Sequence, residues 1–271
     1  MIDFTATQLA DLTQVKNICD ELQTQLVIIG AIAYKLRFPN IERYTTDIDL
    51  TVALDLGDFA ELETRLTELG WQREKHREHR WRSPRETLMD LLPAGTKLRE
   101  AKKLIWPESQ FSMSLVGFDH AFAEAEAIKI NDSLTIQVAP AAVLVLLKIV
   151  AFLDRPHERQ RDLEDLRGIL TQYKEGSDRL FSDEVQAANL SDFGLTNAFL
   201  LGVDLRALCT AEEAAVVETF FARVSNEAEA PWMLFVRAGR QAGDRVEDAA
   251  RVQLGAFAHG FRSIHVEDPY T

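Results

Sequence analysis

The stretch that decides the fold is residues 43–52, Arg-Tyr-Thr-Thr-Asp-Ile-Asp-Leu-Thr-Val. Its Ile, Leu, Val and Thr content is typical of a β-strand, in which residues two apart share one face. Its aliphatic side chains are therefore predicted to face a core, and Asp47 and Asp49 to face the other side. Neighbouring carboxylates repel unless a cation lies between them, and their oxygen atoms suit Mg²⁺, with Mn²⁺ as a substitute. The alternative interpretation is two solvated aspartates on an edge strand.

The residues before this strand add a second feature, a short apolar run followed by a glycine. Residues 25–29, Gln-Leu-Val-Ile-Ile, predict a buried strand, and residues 31–36 predict a helix that follows Gly30. Backbone N–H groups at a helix N-terminus can face a phosphate. A phosphate cradle and the Mg²⁺ site would then lie on neighbouring elements, and this combination is more specific than either feature alone.

Together these residues resemble the signature of the DNA polymerase β-like nucleotidyltransferases. The resemblance rests on Val-Ile-Ile-Gly-Ala at 27–31 and on residues 43–50, and within the superfamily it is strongest to the AbiEii-type toxins of type IV toxin–antitoxin pairs. It implies an α/β (α+β) fold with a mixed, twisted sheet, and nucleotide binding by Gly30, Ala31 and Thr46. The family usually has Gly-Gly or Gly-Ser at this turn, so Ala31 can offer a phosphate only its backbone N–H.

A third carboxylate lies within an apolar stretch, Thr-Leu-Met-Asp-Leu-Leu-Pro at 87–93. A buried lone charge is costly unless it has a partner or a cation. In the polymerase β-like superfamily a later strand supplies a third carboxylate beside the first pair, and Asp90 resembles it in its setting. The resemblance implies catalytic and metal-binding roles for Asp47, Asp49 and Asp90. The alternative is a strand-end Asp that pairs with a neighbouring arginine.

An almost wholly apolar stretch, residues 141–154, predicts a buried helix that is too short to cross a membrane. Lys148 is its only basic residue, and Arg155 follows seven positions later, so the two cations can share a face. A cation in a buried helix usually faces an anion. The structural alternative for this anion is a carboxylate of the protein, and the functional alternative is a nucleotide triphosphate.

This region also resembles the AbiEii-type pattern Lys-x-x-Ala-x-x-x-Arg followed by Arg/Lys-Asp-x-x-Asp. The resemblance implies that Lys148 binds phosphate, and that Asp162 or Asp165 assists catalysis or orients another group. Lys148 and Arg155 would both belong to the nucleotide site and offset charge that develops on the triphosphate. On that basis we expect Lys148 to have no obligatory protein partner. Asp162 and Asp165 are three residues apart and can share a helix face.

The charge of the chain bears on its partners. The net charge of −13 should repel a polyanion such as RNA, but residues 71–103 hold ten Lys and Arg against five Asp and Glu, a local surplus of +5. A basic face that guides RNA through Arg77, Arg80 and Arg82 is one interpretation. Ordinary solvated hairpin residues are the other.

The composition also excludes some classes of protein. The chain has no apolar run of about 18 residues, so no membrane span is expected. Its N-terminus lacks the basic and apolar regions of a signal peptide. Cys19 and Cys209 have no metal-like spacing, and reduced thiols in a cytoplasm are the simplest account of them.

At 271 residues the chain can hold one large or two modest domains. We predict a nucleotidyltransferase domain at 1–140 and a mainly helical domain at 141–271. The first should begin with a helix at 6–23, and its residues 111–140 should be β-rich, with a hairpin that extends the sheet.

The predicted reaction is Mg²⁺-dependent transfer of NMP from an NTP to an acceptor, and three functions stay open. The first is an AbiEii-like toxin that acts on RNA, at a tRNA 3′ end, and has a cognate antitoxin as its partner. The second is an enzyme of the same fold that modifies a small molecule or a protein. The third is a non-catalytic relative that binds a nucleotide or a partner.

Overall fold

The computed structural model describes residues 4–39, 45–239 and 246–263, and the chain divides into two compact units, Met1–Pro140 and Ala141–Thr271. The helices of the first unit are α1 (Ala6–Glu21), α2 (Gly30–Arg37), α3 (Leu56–Glu68), α4 (Thr96–Glu100) and α5 (Phe118–Ala123). Its strands are β1 (Leu26–Ile28), β2 (Asp47–Val52), β3 (Gln72–Glu74), β4 (Arg77–Arg82), β5 (Leu88–Pro93), β6 (Lys103–Ile105), β7 (Ser112–Ser114), β8 (Glu126–Lys129) and β9 (Thr135–Val138). The second unit contains α6 (Ala141–Asp154), α7 (Gln160–Gln172), α8 (Asp183–Ala187), α9 (Thr196–Leu208), α10 (Ala211–Val224), α11 (Ala230–Ala238) and α12 (Val246–Ser263).

The first unit is organised around one mixed sheet with the strand order β3-β4-β5-β2-β1-β9-β8. β2 is parallel to β5, and β1 is parallel to β9, whereas the other neighbours are antiparallel. The predicted fold class, a mixed sheet followed by a mainly helical part, is confirmed. The strand of the sequence signature, β2, lies in the middle of this sheet.

The side chains of β2 alternate as the sequence predicts. Ile48, Leu50 and Val52 are fully buried, whereas Asp47 and Asp49 on the other face are partly exposed. Burying an aliphatic side chain of this size contributes about 1.5–3 kcal/mol. A shift of the strand by one residue would bury both carboxylates instead, so the apolar residues determine the face on which the carboxylates lie.

Other predicted elements are present with small differences. α1 ends two residues before the predicted limit, and at its start Thr5 and Gln8 form a reciprocal capping box. The hairpin β8–β9 extends the sheet as predicted, because β9 pairs with β1. The stretch before this hairpin was expected to be β-rich, but it also forms the short helix α5.

Within the described residues, the regular elements of the second unit are all helices. α6 is buried along most of its length and contacts α7, α9 and α10. α9 and α12 lie very close together because each has a glycine at the contact: a Cβ on Gly260 would be 1.9 Å from the Phe199 carbonyl oxygen. Across the described part of the chain, no helix combines the length and apolar character needed to cross a membrane.

The two cysteines are free and buried, one in each unit. Burial raises the pKa of Cys19 and of Cys209 to about 12. Both thiols are therefore protonated at neutral pH, and a protonated thiol is a poor nucleophile.

Candidate active site

Two neighbouring strands bring the three predicted carboxylates together. β2 and β5 are parallel, and their register places Asp49 directly beside Asp90. Asp47 lies two residues before Asp49 and so shares its face of the sheet. We call Asp47, Asp49 and Asp90 the carboxylate cluster. Asp90 is largely buried, with 11% of its side chain exposed, whereas 28% of the Asp47 side chain is exposed.

The turn between β1 and α2 lies directly against this cluster. Gly30 has φ +66°, and a Cβ at this position would be only 2.1 Å from Oδ2 of Asp49. The backbone N–H of Ala31 donates a hydrogen bond of 3.3 Å to the same oxygen. Glycine is therefore required here for two reasons, its left-handed backbone and the close approach of the Asp49 carboxylate. The N–H that the sequence assigned to a phosphate contacts Asp49 in this structure.

Arg80 is a further residue of this site: the sequence analysis allowed Asp90 a neighbouring arginine as its partner but did not identify which one. Its Nε donates to Oδ1 of Asp90 at 2.7 Å, and its Nη2 donates to Oδ2 of Asp90 at 2.7 Å and to Oδ2 of Asp47 at 2.6 Å. The hydrogen bonds with Asp90 are the main cause that raises the pKa of Arg80, so the guanidinium stays charged. One cation therefore bridges carboxylates on β2 and β5.

One of the two interpretations of the sequence placed Arg80 with Arg77 and Arg82 on an RNA-guiding face. The register of the β4–β5 hairpin, in which Arg80 lies opposite Asp90, accounts for the difference. Residues 83–86, Ser-Pro-Arg-Glu, are typical of a turn, and Arg80 lies three residues before it and Asp90 four residues after it, so the sequence places the two residues on adjoining strands of one hairpin. Arg82 is paired instead with Glu74 and Glu86 at the surface.

The two threonines before β2 differ in their contacts. Thr45 Oγ1 donates a hydrogen bond of 2.8 Å to Oδ1 of Asp47 and so helps to orient that carboxylate. Thr46, which the resemblance assigned to nucleotide binding, is exposed beside it. Its assignment stays a prediction.

The carboxylate cluster suits Mg²⁺ in its chemistry, because carboxylate oxygens are the ligands that this ion prefers. In this arrangement both oxygens of Asp90 and one oxygen of Asp47 accept hydrogen bonds from Arg80. Within residues 4–39, 45–239 and 246–263, no three His, Cys, Asp or Glu side chains are grouped so that they could hold a metal ion. The three carboxylates are therefore of the right chemical type to bind a divalent cation. In this structure, however, the positive charge beside them is the guanidinium of Arg80.

The second unit contains the other predicted group, which we call the lysine cluster: Lys148 of α6 and Asp162 and Asp165 of α7. Nζ of Lys148 donates to Oδ2 of Asp165 at 2.7 Å and to Oδ1 of Asp162 at 3.1 Å. Lys148 is only 7% exposed. The expectation that Lys148 has no obligatory protein partner is therefore wrong: α7 returns along α6 and supplies two carboxylates.

The charges of the lysine cluster depend on one another. Burial lowers the pKa of Lys148, but the two carboxylates more than offset this effect and raise the pKa above its ordinary value of 10.5. Asp165 is the more buried partner, with 2% of its side chain exposed against 14% for Asp162. Oδ2 of Asp162 is buried and has no hydrogen-bond partner within the described residues, and Nη1 of Arg159 lies 3.9 Å from it.

Arg155, the other predicted phosphate ligand, is the first residue after α6. About a quarter of its side chain is exposed, and its Nη1 lies 3.6 Å from Glu158. The carboxylate cluster and the lysine cluster together account for the predicted catalytic residues, with one group in each unit.

Comparisons with known proteins bear on the chain as a whole. The sequence model of one family, described as "Nucleotidyl transferase AbiEii toxin, Type IV TA system", matches residues 15–213. Among solved structures, ANT(2'')-Ia in complex with adenylyl-2''-tobramycin is similar to the chain at 16% identity, with 81% of this chain and 100% of that chain covered and a TM-score of 0.40. An antigenic nucleotidyltransferase-like protein from Paracoccidioides brasiliensis is similar at 17% identity, with 72% and 88% covered and a TM-score of 0.41. No curated protein matches the chain. The family match includes every residue of both clusters.

Proposed function

The chain belongs to the AbiEii family of nucleotidyltransferase toxins, and from this premise we propose that it transfers NMP from an NTP to the 3′ end of a tRNA or another RNA, with Mg²⁺ or Mn²⁺ as its cofactor. The observation that carries the proposal is the convergence of Asp47, Asp49 and Asp90 beside the Gly30 turn. We place the reaction in the cytoplasm, where free thiols stay reduced.

In the proposed reaction, the oxygen of an acceptor hydroxyl bonds to the α-phosphorus of the NTP, and the bond from this phosphorus to pyrophosphate breaks. The hydroxyl proton passes to a carboxylate, which we assign to Asp90. Asp47, Asp49 and Asp90 would hold the divalent cation, and the bound ion would supply polarisation of the α-phosphate and charge stabilisation on the leaving pyrophosphate. Gly30 lets the Asp49 carboxylate lie against the start of α2, where N–H groups can also face a phosphate.

We propose that Lys148 of the lysine cluster binds phosphate, as the resemblance implies, and that Arg155 helps to offset the charge of the triphosphate. An ammonium group has three N–H donors, and the two Asp partners of Lys148 use two of them. One donor is thus left for a phosphate oxygen. Asp162, with one buried oxygen that accepts no hydrogen bond within the described residues, is assigned the assisting role.

The metal and nucleotide assignments are tested by calorimetry with each NTP and Mg²⁺, on the wild type and on Asp47→Asn and Asp49→Asn. Asp58→Asn, an exposed position on α3 of the same unit, is the control. We expect weaker binding in the first two variants and unchanged binding in the control. Equal binding in all four proteins, with the fold intact, would refute the assigned site.

An RNA acceptor is supported by the tip of the β3–β4 hairpin. Lys75, His76 and Arg77 are consecutive and exposed there. Each phosphate that such residues neutralise releases counterions, so RNA binding should weaken steeply with salt. Replacing Lys75 and Arg77 by Ala should flatten this salt dependence and leave NTP binding unchanged. Arg80 is unsuitable for this test because it contacts the carboxylate cluster.

Incubation of the protein with labelled NTPs and total cellular RNA identifies the acceptor. Label in a tRNA-sized band on a gel is the expected result. Label in a protein or a small metabolite, with none in RNA, would overturn the RNA proposal and favour the second function below. An antitoxin partner is part of the proposal, and a neighbouring gene for a small DNA-binding protein would support it.

The second function is transfer of NMP to a small molecule or a protein, and the net charge of the chain favours it. The net charge of −13 opposes RNA binding. Several arginines of the basic stretch are also neutralised by carboxylates: Arg73 pairs with Glu63, Arg85 with Asp11 and Arg99 with Asp119.

A further inference from the structure

Arg80 has the contacts of a cation that substitutes for a metal. Its guanidinium donates three hydrogen bonds of 2.6–2.7 Å, two to Asp90 on β5 and one to Asp47 on β2. Hydrogen bonds between a guanidinium and a carboxylate are among the strongest hydrogen bonds in proteins. The paired contact with Asp90 also fixes the orientation of both groups. Arg80 thus neutralises the like charges that would otherwise repel one another across the two strands.

A divalent cation at the same carboxylates would compete with Arg80. Mg²⁺ binds oxygen ligands at about 2.0–2.1 Å in near-octahedral geometry, and Arg80 already donates to both oxygens of Asp90 and to one oxygen of Asp47. A guanidinium held in place would also repel the ion, because both are positively charged. The site leaves room for an exchange, since 28% of the Asp47 side chain and 15% of the Arg80 side chain are exposed.

We propose that Arg80 is an exchangeable counter-cation, which holds Asp47 and Asp90 together in the metal-free protein and leaves them when a divalent cation binds. The inference rests on the proposed metal-dependent function. It makes Arg80 a positioning residue that sets the metal affinity: without Arg80, the ion does not have to break three charge-assisted hydrogen bonds.

The test measures binding of Mn²⁺ alone, by electron paramagnetic resonance of the free ion, to the wild type, Arg80→Met and Arg82→Met. Arg82 is the matched control, because it lies two residues away on β4 and its partners are half-buried Glu74 and exposed Glu86, outside the carboxylate cluster. We expect Arg80→Met to bind Mn²⁺ at least about tenfold more tightly than the wild type, which corresponds to about 1.4 kcal/mol. Arg82→Met should stay within about twofold of the wild type.

Thermal melts supply a second readout that does not depend on activity. Metal-free Arg80→Met should melt below the wild type, because its carboxylates are no longer neutralised, and Mn²⁺ should raise its melting temperature more than that of the wild type. Equal or weaker Mn²⁺ binding in Arg80→Met would overturn the exchange and leave the proposed function standing. Absence of Mn²⁺ binding in every protein would overturn both.

A measurement on the wild type keeps the inference testable if Arg80→Met does not fold. The Nε–H signal of Arg80 in a ¹H–¹⁵N spectrum can be assigned by its loss in Arg80→Lys. Saturating Mg²⁺ should shift this signal, because the hydrogen bond that Nε–H donates to Asp90 is lost. An unchanged signal with Mg²⁺ bound would show that Arg80 stays in place, and the proposal would be wrong.

Discussion

Replacement of Lys148 by Met tests the energetics of the lysine cluster. Met keeps the length of the aliphatic stem, so the change removes the charge and leaves almost no cavity. It removes the Lys148 ammonium from Asp162 and Asp165, and only 14% and 2% of these side chains are exposed. Taking one partner out of a buried ion pair is costly, so the variant should be strongly destabilised.

The expected size of the loss can be estimated in two ways from the same contacts. Removing one partner of a buried ion pair costs about 3–5 kcal/mol. Nζ of Lys148 also donates two hydrogen bonds to charged groups, and each contributes about 1.5–3 kcal/mol. The two estimates agree, and at roughly 2–4 °C per kcal/mol the melting temperature should fall by roughly 6–20 °C.

The pH dependence of this loss has a definite sign. The folded protein raises the pKa of Lys148 above 10.5. A cation whose pKa is raised on folding stabilises the folded state fully at pH values below its unfolded pKa, and this contribution is lost as the pH rises through the folded value. The difference between the wild type and Lys148→Met should therefore be constant from neutral pH to about pH 10 and narrow only above it.

Chemical denaturation of the wild type, Lys148→Met and Lys174→Met measures the effect. Lys174 is a control in the same unit: about a third of its side chain is exposed, its Nζ lies 3.8 Å from Asp204, and Asp204 keeps Arg179 as a partner. Lys174→Met should cost less than about 1 kcal/mol. A loss of similar size in both variants would refute the reasoning, because the buried cluster would then contribute no more than a surface pair.

The remaining predictions concern glycines and thiols. Gly30→Ala should lower stability by at least about 1–2 kcal/mol and abolish nucleotidyl transfer, since Ala is strained at φ +66° and its Cβ would displace Asp49; transfer at the wild-type rate would contradict this. Gly260→Ala should lower the free energy of unfolding, measured by chemical denaturation, by about 1–3 kcal/mol, because the new Cβ would collide with the Phe199 carbonyl. The control is Gly255→Ala on the same helix, whose Cβ would meet no atom within 4 Å and which should be neutral or slightly stabilising. The two buried cysteines, whose pKa values are about 12, should resist alkylation in the native protein at about pH 8 and react after unfolding, and rapid native labelling would contradict their burial.

Local sequence patterns were sufficient to predict the strands and helices on which the candidate site residues lie. The alternation in β2 separated a buried face from a carboxylate face, because residues two apart share one side of any strand. Gly30 was recognisable from its place between an apolar strand and a helix, and a positive φ is found there. The apolar composition of α6 predicted a buried helix for the same reason: these properties depend on neighbours along the chain.

Sequence motifs also identified the protein family. The motif around Asp47 and Asp49 and the pattern from Lys148 to Asp165 led to a nucleotidyltransferase family, and the family match over residues 15–213 confirms it. The roles of individual residues stay predictions.

Pairing across the sheet and between helices was decided by the tertiary structure. Arg80 contacts Asp47 only because β4, β5 and β2 are neighbours in one register, and β2 lies some thirty residues earlier in the chain. Lys148 has two carboxylate partners because α7 returns along α6. Charge and hydrophobic periodicity show that a buried cation needs an anion, but they do not name that anion. The choice of partner depends on distances between residues far apart in sequence, and only the folded chain determines those distances.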